Sequence, residues 1–171
     1  KGLTAIKSNS PEFIHNVFDE CIQELTTVTN KSEFNKAKRK IKKIVQDAIG
    51  DLVLGKIPIE DLEYSVRIHD DPKEKLQGAS LHQPYQCAVQ LIDSGKSVKK
   101  YDEMRFVKVK PFNYQGRRFS VKPTESVTRI SEINVSDYTR NLRTALNQTF
   151  EPMGISINKF EKATGTLAGF L

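Results

Sequence analysis

The sequence predicts a helix-rich α+β fold with a small, mostly antiparallel β subregion, on three observations. Apolar residues recur at helical spacing through residues 13–25, 34–48 and 138–150. They alternate with polar ones through 64–69, 104–109 and 118–122. The last two stretches are separated by Asn113-Tyr114-Gln115-Gly116, a turn signal.

Ser10 suits an N-cap, Pro11 the first helical position and Glu12 the positive end of a helix dipole. Phe13, Ile14, Val17, Phe18, Cys21, Ile22 and Leu25 then build one broad apolar face, opposite Glu12, His15, Asp19 and Gln23. Thr26 to Asn30 should end this helix. Ser32 is the expected cap of a second helix that runs to Ile49 and is closed by Gly50. Its inward stripe is Phe34, Ala37, Ile41, Ile44, Val45 and Ala48. At about 100° per residue, Lys36, Arg39, Lys40 and Lys43 fall on the opposite side. The two helices are expected to pair as a long antiparallel hairpin.

Gly55 to Pro58 reads as a turn, residues 59–62 as a short helical step, and Tyr64 to His69 as a strand broken by Asp70-Asp71-Pro72. Pro84 opens a helix over 85–94 with Cys87, Ala88, Leu91 and Ile92 inward, stopped by Gly95. Met104 to Val109 reads as a strand ending at Pro111, and Arg118 to Lys122 as its return before Pro123. The last helix starts near Asn134 or Ser136, buries Tyr138, Leu142, Ala145, Leu146 and Phe150, and ends at Pro152 and Gly154.

The chain has 171 residues, 37% hydrophobic and 28% charged, which suits one ordinary globular domain with room for two lobes. No run of about 18 apolar residues offers a membrane span, and Lys1-Gly2-Leu3-Thr4 lacks the apolar region of a signal peptide. The absence of an initiator Met fits a piece cut from a longer chain. Cys21 and Cys87 lie in apolar-periodic stretches and read as buried small hydrophobes. With three widely spaced histidines they make no metal-ligand pattern, so no metal is expected in this chain.

Net charge is +6, and residues 31–43 hold seven basic residues against Glu33 alone, equal to the whole excess. Such a balance points to nucleic acid, an anionic membrane or acidic proteins without choosing among them. A solvated helix face is the bland reading of the same stripe. No catalytic arrangement stands out: there is no Gly-rich phosphate loop, no Gly-x-Ser-x-Gly and no His-Glu-x-x-His. Asp70-Asp71 could begin a two-metal site, but Pro72 and Lys73 follow at once and favour a turn and helix start.

Four fragments carry a resemblance. They are Lys1 to Phe13 (KGLTAIKSNSPEF), Leu62 to His69 (LEYSVRIH), Gln83 to Leu91 (QPYQCAVQL) and Asp137 to Leu142 (DYTRNL). In this order and at this spacing the chain resembles the C-terminal third of family B DNA polymerases, archaeal ones in particular. The resemblance implies the end of the palm and the palm–thumb junction over 1–12, a thumb domain over 13–157, and a flexible tail over 158–171. It implies a part of a DNA-directed DNA polymerase, a nucleotidyltransferase of DNA replication, that grips primer–template duplex through phosphate and minor-groove contacts. The family's catalytic motifs, and the palm Mg2+ they hold, are absent from this chain, which alone should be inactive. Implied partners are primer–template DNA and the catalytic palm part, with no membrane. The implied location is cytoplasmic, with the nucleoid.

A grip on duplex of any sequence calls for phosphate and sugar contacts. The residues able to supply them are Lys1, Lys7, Ser8, Asn9, Arg67, His69, Lys73, Lys75, Ser80, His82 and Tyr85, and the resemblance implies that the loop from Asp70 to Tyr85 lies against the minor groove. Ser8 and Tyr85 depart from the family, where a second Arg and a His are common. Each lysine also reads as ordinary solvated surface, Tyr85 as core and His69 as a strand end. The C-terminus, with Thr164, Leu167, Phe170 and Leu171, resembles a degenerate sliding-clamp peptide, in which Thr164 replaces a Gln and Leu171 an aromatic. Two other readings stay open: a basic protein-interaction module without DNA binding, and an RNA binder. The latter would expose aromatics for base stacking, and this Trp-free chain puts its aromatics mostly at core-periodic positions.

Overall fold

The structure, a computed structural model, describes residues 6–75 and 81–157. It contains α1 (Glu12–Thr26), α2 (Lys31–Val53), β1 (Tyr64–Arg67), α3 (Pro72–Lys75), α4 (Gln83–Asp93), β2 (Glu103–Tyr114), β3 (Arg117–Pro123) and α5 (Val135–Phe150). Four 3-10 turns, Glu60–Leu62, Thr124–Ser126, Ile130–Glu132 and Glu151–Met153, complete it. The α+β architecture read from the periodicity is the one observed. The chain divides into a helical unit, Phe13–Lys56 with the chain from Tyr138 on, and a sheet unit, Ser8–Glu12 with Ile57–Asp137.

In the helical unit, α1 buries Phe13, Ile14, Val17 and Cys21, and α2 buries Ala37, Ile41, Val45 and Leu52. Tyr138, Leu142, Leu146 and Phe150 of α5 repeat every fourth residue and are fully buried. Phe18 of α1 packs on Phe150 at 6.0 Å between ring centroids. Glu24 and Lys40 pair at 2.9 Å across the two helices of the hairpin, and the Lys38 ammonium donates to the Gly154 carbonyl at 2.8 Å.

Both ends of α2 differ from the expectation. Its N-cap is Asn30, two residues ahead of Ser32, with extended backbone and its side chain accepting from the Glu33 N–H at 3.0 Å. The Glu33 carboxylate reaches back to accept from the Thr29 N–H and hydroxyl, each at 2.8 Å, which holds its carboxyl below the usual range. At the other end Gly50 does not stop the helix. Burial of Leu52 repays one more turn, and the chain leaves helical conformation at Gly55, where φ is +67°.

The sheet unit is a three-stranded antiparallel sheet in the order β1-β2-β3. β1 registers Tyr64 on Phe106 and Arg67 on Glu103. β2 does not end at Pro111 but carries it at an irregularity, where pairing with β3 shifts between Lys108 and Phe112. A register shift is where a residue without an N–H does least harm to a strand. Gln115 and Gly116, both at positive φ, make the hairpin turn.

Cys87 and Ala88 of α4 pack on one face of the sheet with Ile68, Met104, Phe106 and Val121, while Val89 joins Leu81 and Phe119. The Gln86 amide, itself buried, donates to the Leu81 carbonyl and accepts from the Ser120 N–H, each at 2.8 Å. Beyond the sheet, Val109 bridges to Ile133, and Lys108 pairs with Asp137 at 2.8 Å with both side chains nearly buried. That pair ties the first turn of α5 to β2. Removing one partner would strand a charge out of water, typically about 3–5 kcal/mol.

Candidate nucleic-acid interface

Arg67 and His69 stand at the exit of β1, Lys73 on the short helix that follows and His82 at the start of α4. Arg67 is the last residue of β1 and is exposed. Ile68 continues into the core, 1% exposed, so His69 is thrown outward again. Asp71 then starts α3 by accepting from the Lys73 N–H at 2.8 Å, the turn and helix-start role expected of the acidic pair. The side chain of Lys73 is exposed. His82 stands exposed at the N-cap of α4, with Pro84 in the helix's first turn.

Asp70 is the hub of this end. Its carboxylate accepts from the Tyr85 hydroxyl at 3.1 Å and pairs with the Lys75 ammonium at 2.9 Å, while its own N–H donates to the Tyr85 oxygen at 3.1 Å. Lys75 first, then Tyr85, hold the Asp70 carboxyl below the usual range, and Asp70 in turn raises Lys75. Two of the residues read as duplex contacts are thus engaged within the chain. Tyr85 also packs its ring on both apolar clusters under α4. Its geometry is that of a strut joining the post-β1 loop to α4, with the residue partly buried.

Lys7, Ser8 and Asn9 are exposed; Ser8 and Asn9 belong to the sheet unit and Lys7 to the helical one. Lys1, Ser80 and the clamp-like residues Thr164, Leu167, Phe170 and Leu171 lie outside the described residues. The α2 stripe is real as an exposed face: Lys36, Arg39, Lys40 and Lys43 all reach solvent. Lys40 is paired with Glu24 and Lys43 with Asp47.

Two surface features escaped the sequence reading. Lys110, Arg117 and Arg118 gather around the β2–β3 turn, where Pro111, Phe112 and Asn113 help line an open depression of about 340 Å³. The basic pair after Gly116 was its visible signal. Eleven residues of β2 separate this turn from the Arg67 end, on the order of 30 Å, so the two basic groups are distinct. The second feature is Tyr101, the one exposed Phe or Tyr among the described residues, at 59%. No periodicity marks it. Among the described residues no group of three or more His, Cys, Asp or Glu could hold a metal ion, and no helix is long and apolar enough to cross a membrane.

No family model matches the chain. It is 28% identical over 156 residues to DNA polymerase 1 of Sulfolobus acidocaldarius and 25% identical over 156 residues to DNA polymerase 1 of Saccharolobus solfataricus. Each match covers 91% of this chain and 17% of the relative, so the chain spans about a sixth of the length of those proteins. Its fold matches the family B DNA polymerase of the hyperthermophilic archaeon Pyrobaculum calidifontis with a TM-score of 0.62 at 18% identity, over 84% of this chain and 18% of that one. Taken with the four fragments in their order, the chain resembles one segment of archaeal DNA polymerases in sequence and shares its fold with part of a family B enzyme.

Proposed function

We propose that this chain is the thumb of a DNA-directed DNA polymerase and grips primer–template duplex without reading its sequence. The observation that carries the proposal is the similarity to archaeal DNA polymerases across nine-tenths of the chain. The surface supports it. Arg67, His69, Lys73 and His82 are exposed in the sheet unit, at a strand end, on a loop and at helix starts, positions from which a protein reaches phosphates. Of the neighbouring acids, Asp70 is engaged by Lys75 and Tyr85, Asp71 by the α3 amide and Asp102 by the Lys99 N–H at 2.7 Å, while Glu74 and Glu103 are exposed. Nucleotidyl transfer, with its Mg2+ and catalytic carboxylates, belongs in this proposal to a palm outside this segment.

Fluorescence-anisotropy titration of a primer–template duplex at low and moderate salt tests the reading. The expected result is binding that ignores sequence and weakens steeply as salt rises. Absence of binding at low salt would remove independent DNA grip and favour a role confined to contact with the rest of a polymerase.

A further inference from the structure

Tyr101 sits where a side chain is costly to keep. Its φ is +73°, a left-handed conformation that β-carbon sterics disfavour and that turns usually assign to Gly or Asn. Two backbone hydrogen bonds hold it there: the Tyr101 N–H donates to the Ile68 carbonyl at 2.9 Å, and the Ile68 N–H to the Asp102 carbonyl at 3.0 Å. A glycine would satisfy the same bonds without strain. The ring is instead held 59% exposed, whereas every other Phe and Tyr among the described residues is at least half-buried.

Its surroundings are those of a nucleotide contact. The His69 ring lies edge-to-face at 6.2 Å, and the Lys100 ammonium lies over one face of the Tyr101 ring, 5.1 Å from its centroid. Lys99, Lys100 and Arg67 are exposed and make no ion pair among the described residues. An exposed aromatic ring backed by a cation, with further cations nearby, is an arrangement that stacks an unpaired base while holding its phosphate. Stacked bases inside duplex offer no free face, and opening a step to insert a ring costs a few kcal/mol.

We infer that Tyr101, supported by His69 and Lys100, is a stacking platform for an unpaired nucleotide of the DNA strand that runs beyond the duplex. This rests on the duplex-grip reading and adds a contact to single strand that phosphate binding alone would not make. Arg67 and Lys73 hold the backbone of the paired part.

Three forms of the full chain are compared: wild type, Tyr101→Phe and Tyr101→Leu. Each is titrated with a blunt duplex and with the same duplex carrying a single-stranded overhang. The expected result is that Tyr101→Leu loses about tenfold in affinity for the overhang substrate and nothing on the blunt one. Tyr101→Phe, which keeps the π face, binds both as wild type does. A 2-aminopurine at an overhang position should be quenched by wild type and not by Tyr101→Leu, a readout that a merely structural role would not move. Equal losses on both substrates, or none on either, would overturn the platform while leaving duplex grip standing. Failure of wild type to bind either DNA would overturn both.

Discussion

Asp70 sets the character of the surface around it by engaging Lys75 and Tyr85, which removes one cation from the pool available to phosphate. Lys73, two residues earlier, has no such partner among the described residues. Lys73→Ala is therefore expected to weaken duplex binding and lower the slope of log affinity against log salt by about 0.9, one phosphate contact. Lys75→Ala should change that slope less, and parallel salt titrations of the two variants decide it. Asp70 also makes a pH prediction. Its carboxyl is held below the usual range, so the stability it lends is present above about pH 4 and lost as pH falls through the lower folded value. Asp70→Asn should melt below wild type at pH 7, and the gap should close as the melts are carried below about pH 4. None of this was legible at residue scale. Asp70 and Tyr85 are 15 residues apart, and only the packing of α4 on the sheet brings them together. Tyr101 left still less trace, because the sequence around it has no period and no glycine to mark the left-handed turn.

Helices and strands were read more fully, for a physical reason. The four fully buried residues of α5 and the apolar face of α1 repeat with the helical period over several turns, and a long period is hard to mistake. The misreadings fell where local preference yields to tertiary burial. Gly50 looks like a stop signal but is an interior residue of α2, and a β-carbon there would meet nothing within 4 Å. Gly50→Ala should therefore stabilise the protein by about 0.5–1 kcal/mol, through helix propensity and a less flexible unfolded chain. Gly55→Ala, at φ +67°, should destabilise it by roughly 1 kcal/mol. Opposite signs in urea unfolding would place the end of α2 at Gly55. Pro111 was misread for a related reason: a strand-breaking residue is harmless where the ladder already shifts, and no local pattern reveals the shift.

Across the whole molecule, the chemistry is spread unevenly. Exposed basic groups include those at the Arg67 end of the sheet, at the β2–β3 turn and on the outer face of α2, while the Lys108–Asp137 pair is nearly buried. On the proposed duplex grip, salt that weakens DNA binding acts on exposed charges and should leave this pair in place, because screening reaches it poorly. Binding lost in high salt should therefore return on dilution, with the thermal melt little changed between the two conditions.

The two cysteines carry a consequence of their own. Cys21 belongs to the helical unit and Cys87 to the sheet unit; both are fully buried, and burial pushes each thiol up to about 12. A thiol reagent can reach either sulfur only when its surroundings open. The chain thus carries one built-in timer in each unit, ready for labelling without a single substitution. Pulsed alkylation read by mass spectrometry, with a gentle denaturant series, would show whether both timers run at one rate, as in a single cooperative opening. Two rates would show that the helices and the sheet breathe on separate schedules.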